Sequence, residues 1–122
     1  MGDVRQQVEH MSASDQKSIA ARFGALFVPI EADQKAGVAL HTLSSLPLNA
    51  LRHPPEKGTS GWYIWGGEKL SEESTFFKPL HHKHLTEYCP NLVPYLGLGP
   101  GWRVLLAPNQ EEVWFDEKLL AV

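Results

Sequence analysis

Four consecutive positions, Trp62-Tyr63-Ile64-Trp65, carry three aromatic rings and an isoleucine, bracketed by Gly61 and Gly66-Gly67 and closed by Glu68. Aromatic and β-branched residues suit a pleated, packed surface, so Trp62 to Trp65 predicts a strand. Its period of two sets Trp62 and Ile64 on one face and Tyr63 and Trp65 on the other. Both faces are large and mostly apolar. Such a strand belongs inside a sheet with cover on each side, and the rest of the chain must supply that cover. Gly66-Gly67 releases it through a bulge or a close backbone approach, leaving Glu68 at the strand's mouth.

The chain has 122 residues, which predicts one domain with a single core. Hydrophobic residues make up 43% and charged ones 20%, an ordinary globular balance. Eleven basic and fourteen acidic residues leave a formal charge of -3, too mild for a nucleic-acid or membrane surface. The lone Cys89 cannot form an internal disulfide, which fits a reducing compartment. The start Met1-Gly2-Asp3-Val4-Arg5 leads into no apolar run of signal-peptide type, and no stretch approaches membrane-spanning length. The expectation is a cytoplasmic protein.

In chain order, residues 1–36 read as an N-terminal helical arm and 37–122 as an α+β core, one domain overall. Val4, Val8 and Met11 mark a weak amphipathic helix, and Ser12-Ala13-Ser14-Asp15 interrupts it with N-cap chemistry. A second helix then places Ile19, Phe23 and Leu26 on one face and stops at Gly24. Phe27 to Ile30 reads as a short edge strand and Val38 to Leu43 as a further strand. Ser44 to Ser60, rich in proline, glycine and charge, reads as a loop. Pro79 opens a short helix with His81, Leu85 and Tyr88 on one face, and Leu92 to Leu96 forms a further turn. Trp102 to Ala107 is the clearest second strand, with Trp102, Val104 and Leu106 on one face and Arg103, Leu105 and Ala107 on the other. Pro108-Asn109-Gln110-Glu111 turns the chain into a returning strand, Glu112 to Asp116. The expected fold is a single α+β domain. Its antiparallel or mixed sheet is covered by the N-terminal and inserted helices and ends in a closing hairpin. The expected core holds Trp62, Ile64, Trp65, His81, Leu85, Trp102, Val104 and Trp114.

Few residues suggest chemistry. His81-His82-Lys83-His84 is the most metal-like run, but zinc sites on helices use imidazoles four apart plus a third ligand. Here the histidines are adjacent or three apart, so His81 buried and hydrogen-bonded is preferred and no metal is expected. Cys89 lies between Tyr88 and Pro90 with nothing to activate it. Gly97 to Gly101 lacks the Lys-Ser/Thr of a phosphate loop. The four tryptophans could form a stacking platform, though cross-strand packing accounts for them more simply. Arg103 and Glu68 flank tryptophan strands and form a candidate bridge that fixes register. No catalytic set and no cofactor site results.

Several blocks together carry a resemblance. They are Gly61 to Glu68, Phe76-Phe77-x-Pro79-Leu80-His81, Cys89-Pro90-x-x-x-Pro94-Tyr95-Leu96-x-Leu98, Gly101-Trp102-Arg103 and Val113-Trp114-x-Asp116. In this order they resemble the bacterial immunity protein 33 domain family, in a Trp-Tyr-Ile-Trp variant, over roughly Gly37 to Leu120. The resemblance implies a protein encoded beside a polymorphic toxin that protects its own cell by binding and blocking that toxin. It implies no enzyme activity and no cofactor. An inhibitor of this kind presents a preformed surface with aromatic anchors and a charged rim. Glu68, Glu72 and Glu73 beside the tryptophan strand, and Glu111, Glu112 and Asp116 at the hairpin, are the candidate partner-binding acids. Three other readings stand beside this one: a small-molecule-binding module with an aromatic-lined pocket, a homodimer through an aromatic patch, and a metal-dependent hydrolase on His81 to His84.

Overall fold

Six strands are present in a computed structural model that describes residues 4–121, with side chains from Ser14 onward. They are β1 (Lys35–Val38), β2 (Leu48–Arg52), β3 (Thr59–Gly66), β4 (Lys78–His81), β5 (Trp102–Ala107) and β6 (Gln110–Phe115). They form one sheet in the order β4-β1-β3-β2-β5-β6, so the aromatic stretch is an inner strand. β1 runs parallel to β3 and the other neighbours are antiparallel. The domain is α+β with a mixed sheet.

Register explains how one strand serves two faces. Val38, Ile64, Ala50, Val104 and Val113 lie in one cross-strand row and share a face. With Trp62 they form the main core beneath the helix α1 (Val4–Phe23) and the 3-10 segment Pro90–Tyr95. Gln16 fixes the helix to that segment, its Nε2 donating to the Val93 carbonyl at 2.9 Å. The opposite face carries Leu51 and Trp65, covered by Phe76, Phe77 and Leu119. Those covers come from the β3–β4 loop and the 3-10 turn Glu117–Leu120.

Two glycines permit this packing. Gly61 has φ +91, and a Cβ there would strike the His53 carbonyl, which closes the β2–β3 hairpin as His53 N–H donates to Gly61 O at 2.9 Å. Beside it the β1–β3 register shifts, Lys35 facing Thr59 but Gly37 facing Tyr63, so β3 bulges here. At Gly66 a Cβ would collide with the carbonyls of Thr42 and Ser45. The missing side chain lets the turn Leu40–Thr42 fold over the end of β3, where Thr42 Oγ1 accepts from Gly66 N–H at 2.8 Å.

Several local expectations change. The N-terminal segment is one helix through Ser12 to Asp15, because exposed Ser14 and Asp15 sit on the solvent side and impose no cap. Gly24 ends it at φ +70, which leaves Leu26 beyond the helix and 78% exposed instead of on its inner face. Phe27 makes only an isolated bridge to Leu98. The strand expected over Val38 to Leu43 lies earlier, because Thr42 Oγ1 donates to the Ala39 carbonyl at 2.7 Å and tightens the chain into a turn. The expected loop from Ser44 to Ser60 contains β2, which pairs with both β3 and β5. Pro79 lies in the edge strand β4, a place that needs no N–H, and does not open a helix. The helix that follows is only α2 (Leu85–Tyr88), and it buries Leu85 but leaves Tyr88 exposed.

Candidate functional site

The hairpin end of the sheet gathers the most chemistry. Ala107 pairs with Gln110 around the two-residue turn Pro108-Asn109, and Asn109 takes the left-handed conformation at φ 60. Glu111 follows on the helix-covered face, in the row Gly66, Leu48, Leu106, Glu111. It joins three elements. Arg22, in the last turn of α1, donates from Nη2 to Oε1 at 2.7 Å and from Nη1 to Oε2 at 3.2 Å. Tyr95, from the 3-10 segment, donates its hydroxyl to Oε2. The Tyr95 bond, then Arg22, hold the Glu111 carboxyl below its ordinary range against the opposing effect of partial burial. Burial, reinforced by Glu111, raises the Tyr95 phenol to about 12.

Beside this junction opens a cleft of about 620 Å³. Leu46, Leu48, Leu106 and Ala107 give it an apolar floor, with Tyr95, Asn91, Gln110 and Glu111 as polar groups. Its Leu46 wall is 56% exposed. Gly67, next to Glu68, is tied to the same wall: its N–H donates to Pro47 O at 2.9 Å and its carbonyl accepts from Asn49 Nδ2 at 2.8 Å. A smaller cleft of about 220 Å³ lies between β1 and β3, lined in part by Trp62, Tyr63 and Phe77. It is smaller than the roughly 300 Å³ at which ligand pockets begin.

The six candidate acids do not form one rim. Glu111 lines the cleft, and Glu68 follows Gly67, which is bonded beside it. Glu72 and Glu73 are exposed further along the β3–β4 loop, where Glu73 O accepts from Phe76 N–H at 3.1 Å. Glu112 points to the loop-covered face, opposite Leu105. Asp116 is about 17 Å from Glu111 along the extended chain, at the far end of the sheet. There it binds Arg103 at 3.2 Å, the partner once expected to be Glu68, and accepts from Lys118 N–H at 3.1 Å. Among the described residues no ion pair involves Glu68, Glu72, Glu73 or Glu112.

Of the expected core, Trp62, Ile64, Trp65, Leu85 and Val104 are buried and Trp102 is half-buried. Trp114 is 39% exposed, because the loop-covered face has no cover over β6. His81 is half-buried at the end of β4, and His82 is the buried histidine instead. The change from strand to 3-10 turn at His82 rotates the next side chain inward. His81 and His84 rings are 6.4 Å apart. Among the described residues no three His, Cys, Asp or Glu side chains converge as metal ligands.

A buried polar cluster had no forecast. Arg52, on β2, donates from Nε to Ser60 O and from Nη1 to Val28 O and Leu98 O, each at 2.8 Å, and lies 5.6 Å over the Trp62 ring. Burial lowers it to about 10, still protonated at neutral pH. His82 Nε2 meets Ser60 Oγ at 2.5 Å, while Nδ1 has no partner. A proton on Nε2 leaves Nδ1 as a bare acceptor, which costs less than an unpaired buried N–H. Burial, then Arg52, lowers His82 to about 4, so it is neutral. Burial also raises the Cys89 thiol to about 11, an inert state. Pro47 and Pro54 bracketing Leu-x-Ala-Leu were the sequence signal for β2, and a buried arginine concealed it.

A mixed sheet, one long helix and a stapled hairpin define a small α+β domain. The Imm33-like domain model matches residues 15–116, from within α1 to the far end of the hairpin. The chain belongs to the Imm33-like domain family. No curated protein and no solved structure matches it.

Proposed function

We propose that this protein is an immunity protein that binds and neutralises a cognate bacterial toxin through the cleft at the hairpin end. Membership of an immunity-protein-like family carries the reading. The cleft supplies a means: a concave apolar floor for an anchoring side chain, with Glu111 in its lining and Glu68 following Gly67, which is bonded to Pro47 and Asn49 beside that lining. Glu111 is held in place by Arg22 and Tyr95 before any partner arrives, so little ordering is required there on binding. Glu72 and Glu73 would extend the field that attracts a basic partner. The action is occlusion by binding and uses no catalytic group or cofactor.

The test is co-expression with the product of the neighbouring toxin gene, scoring growth and isolating the complex. A one-to-one complex that restores growth is expected. Leu46→Glu should weaken it by about tenfold or more, and Glu68→Lys by less. Absence of both complex and rescue would sink the reading. Full binding by both variants would move the interface away from the cleft.

A further inference from the structure

The two edges of the sheet are unequal. β4 is four residues long and carries Lys78 and Pro79, devices that discourage another strand from adding. β6 is six residues, has no proline, and keeps unbroken register with β5. Its bonding pattern follows from the turn. Ala107 and Gln110 flank a two-residue loop and exchange hydrogen bonds, so by alternation Leu105 with Glu112 and Arg103 with Trp114 do too. Asp116 N–H donating to Gly101 O at 2.7 Å continues the pattern. The N–H and C=O of Glu111, Val113 and Phe115 therefore face outward. No other described residue bonds them. Aromatic side chains accompany this bare edge: Trp114 is 39% exposed and Phe115 49%. Between it and Arg22 and Phe23 of α1 lies a cleft of about 600 Å³.

We propose that the β6 edge pairs antiparallel with β6 of a second copy, about a two-fold axis at Val113, giving one sheet that runs through both copies. The charges select both the occupant and the register. With the axis at Val113, Glu111 faces Phe115 of the second copy, Glu112 faces its Trp114, and Gln110 faces its Asp116. No acid meets an acid. Moving the axis to Glu111 or Glu112 sets that acid against itself, and moving it to Trp114 sets Glu112 opposite Asp116, each a destabilising like-charge pair. An axis at Phe115 runs the pairing into the 3-10 turn that starts at Glu117. In the Val113 register the outward groups of Glu111, Val113 and Phe115 all find partners, both aromatics gain cover, and the two-fold closes the assembly without a further open edge on that side. The inference is independent of the toxin reading and is tested without a toxin.

Sedimentation equilibrium of the whole protein should give twice the 13.6 kDa chain mass, dissociating on dilution. Trp114→Glu places an acid opposite Glu112 in both symmetric pairs and should weaken the dimer by about tenfold or more. Glu112→Lys/Trp114→Glu turns those pairs into opposite charges and should restore it. Amide exchange at Glu111, Val113 and Phe115 should slow at dimer concentrations and quicken on dilution, a readout that stands if a variant misfolds. A monomer at every soluble concentration overturns the proposal. So does a dimer indifferent to Trp114→Glu, a folded double variant that stays monomeric, or exchange at those amides that ignores concentration.

Discussion

Each face of the sheet carries an arginine stacked on a tryptophan, and the two pairs differ in everything except that motif. Arg52 lies 5.6 Å from the Trp62 ring on the helix-covered face, and Arg103 lies 5.5 Å from Trp114 on the other. Arg52 is fully buried, has no carboxylate, and uses three main-chain carbonyls as its acceptors. Arg103 is partly exposed and paired with Asp116. The cover decides the difference. One face lies under a 20-residue helix and the Pro90–Tyr95 segment, the other under two pieces of loop that stop short of β6. A stacked Arg–Trp pair is therefore a structural tie where water is excluded and an available surface where it is not.

The largest test of that comparison replaces the rings. Trp62→Ala empties a buried site and removes the Nε1–H bond to Leu96 O at 2.9 Å, so about 3–5 kcal/mol of unfolding free energy should be lost. Trp114→Ala should cost about 1 kcal/mol or less. Denaturant midpoints at constant slope measure both, and equal losses would break the distinction between the faces. The arginines come next. Arg52→Met leaves the carbonyls of Ser60, Val28 and Leu98 without their donor, for about 3 kcal/mol. Arg103→Met removes a partly exposed pair and should stay under about 1 kcal/mol.

Acidity probes the closed face by itself. His82 is neutral when folded, lowered to about 4 by burial and by Arg52, against 6.5 as its ordinary value. Between those values the unfolded chain binds a proton that the folded one refuses, so stability falls as pH drops from about 6.5 towards 4. The loss reaches about 3 kcal/mol below that window and is absent above it. Thermal melts across the range should show the decline, and His82→Gln should flatten it. A decline unchanged in the variant would assign the acid sensitivity to carboxylates instead.

Legibility in the sequence follows the same division. β3 was readable because aromatic and β-branched residues crowd both of its faces, and β5 and the hairpin because apolar residues recur at every second position, a pattern that survives whatever covers the strand. β2 was not, since its inward row ends in Arg52, whose carbonyl acceptors on Val28, Ser60 and Leu98 come from three separate segments. The exchange of His81 for His82 turned on one residue of phase where strand becomes 3-10 turn. Trp114 alternates as a core residue would, and only the absence of a cover over β6 exposes it. At the candidate site, the acids were visible but their distribution was not. Glu111 is taken up by Arg22 and Tyr95 and Asp116 by Arg103, partners from other segments that only the fold brings to them.

Glu111 sits where the comparison is least sharp, on the closed face but at its rim, so it should give the smallest effect. Its side chain is 29% exposed and that of its partner Arg22 is 58% exposed. Solvent screens the pair, and Glu111→Gln should cost under about 1 kcal/mol at neutral pH, because the amide oxygen can still accept from Tyr95. The carboxyl is held below its ordinary range, chiefly by that Tyr95 bond, so its contribution is present above the ordinary carboxylate range and is lost as pH falls through the lowered folded value. The phenol offers a cleaner reading. Burial is the first cause of its rise to about 12 and Glu111 the second, so in Glu111→Gln the Tyr95 titration should move down yet remain above 10. Difference absorbance on alkaline titration would follow it. A return all the way to 10 would mean that the carboxylate, and not the cover of the Pro90–Tyr95 segment, sets the environment of the rim.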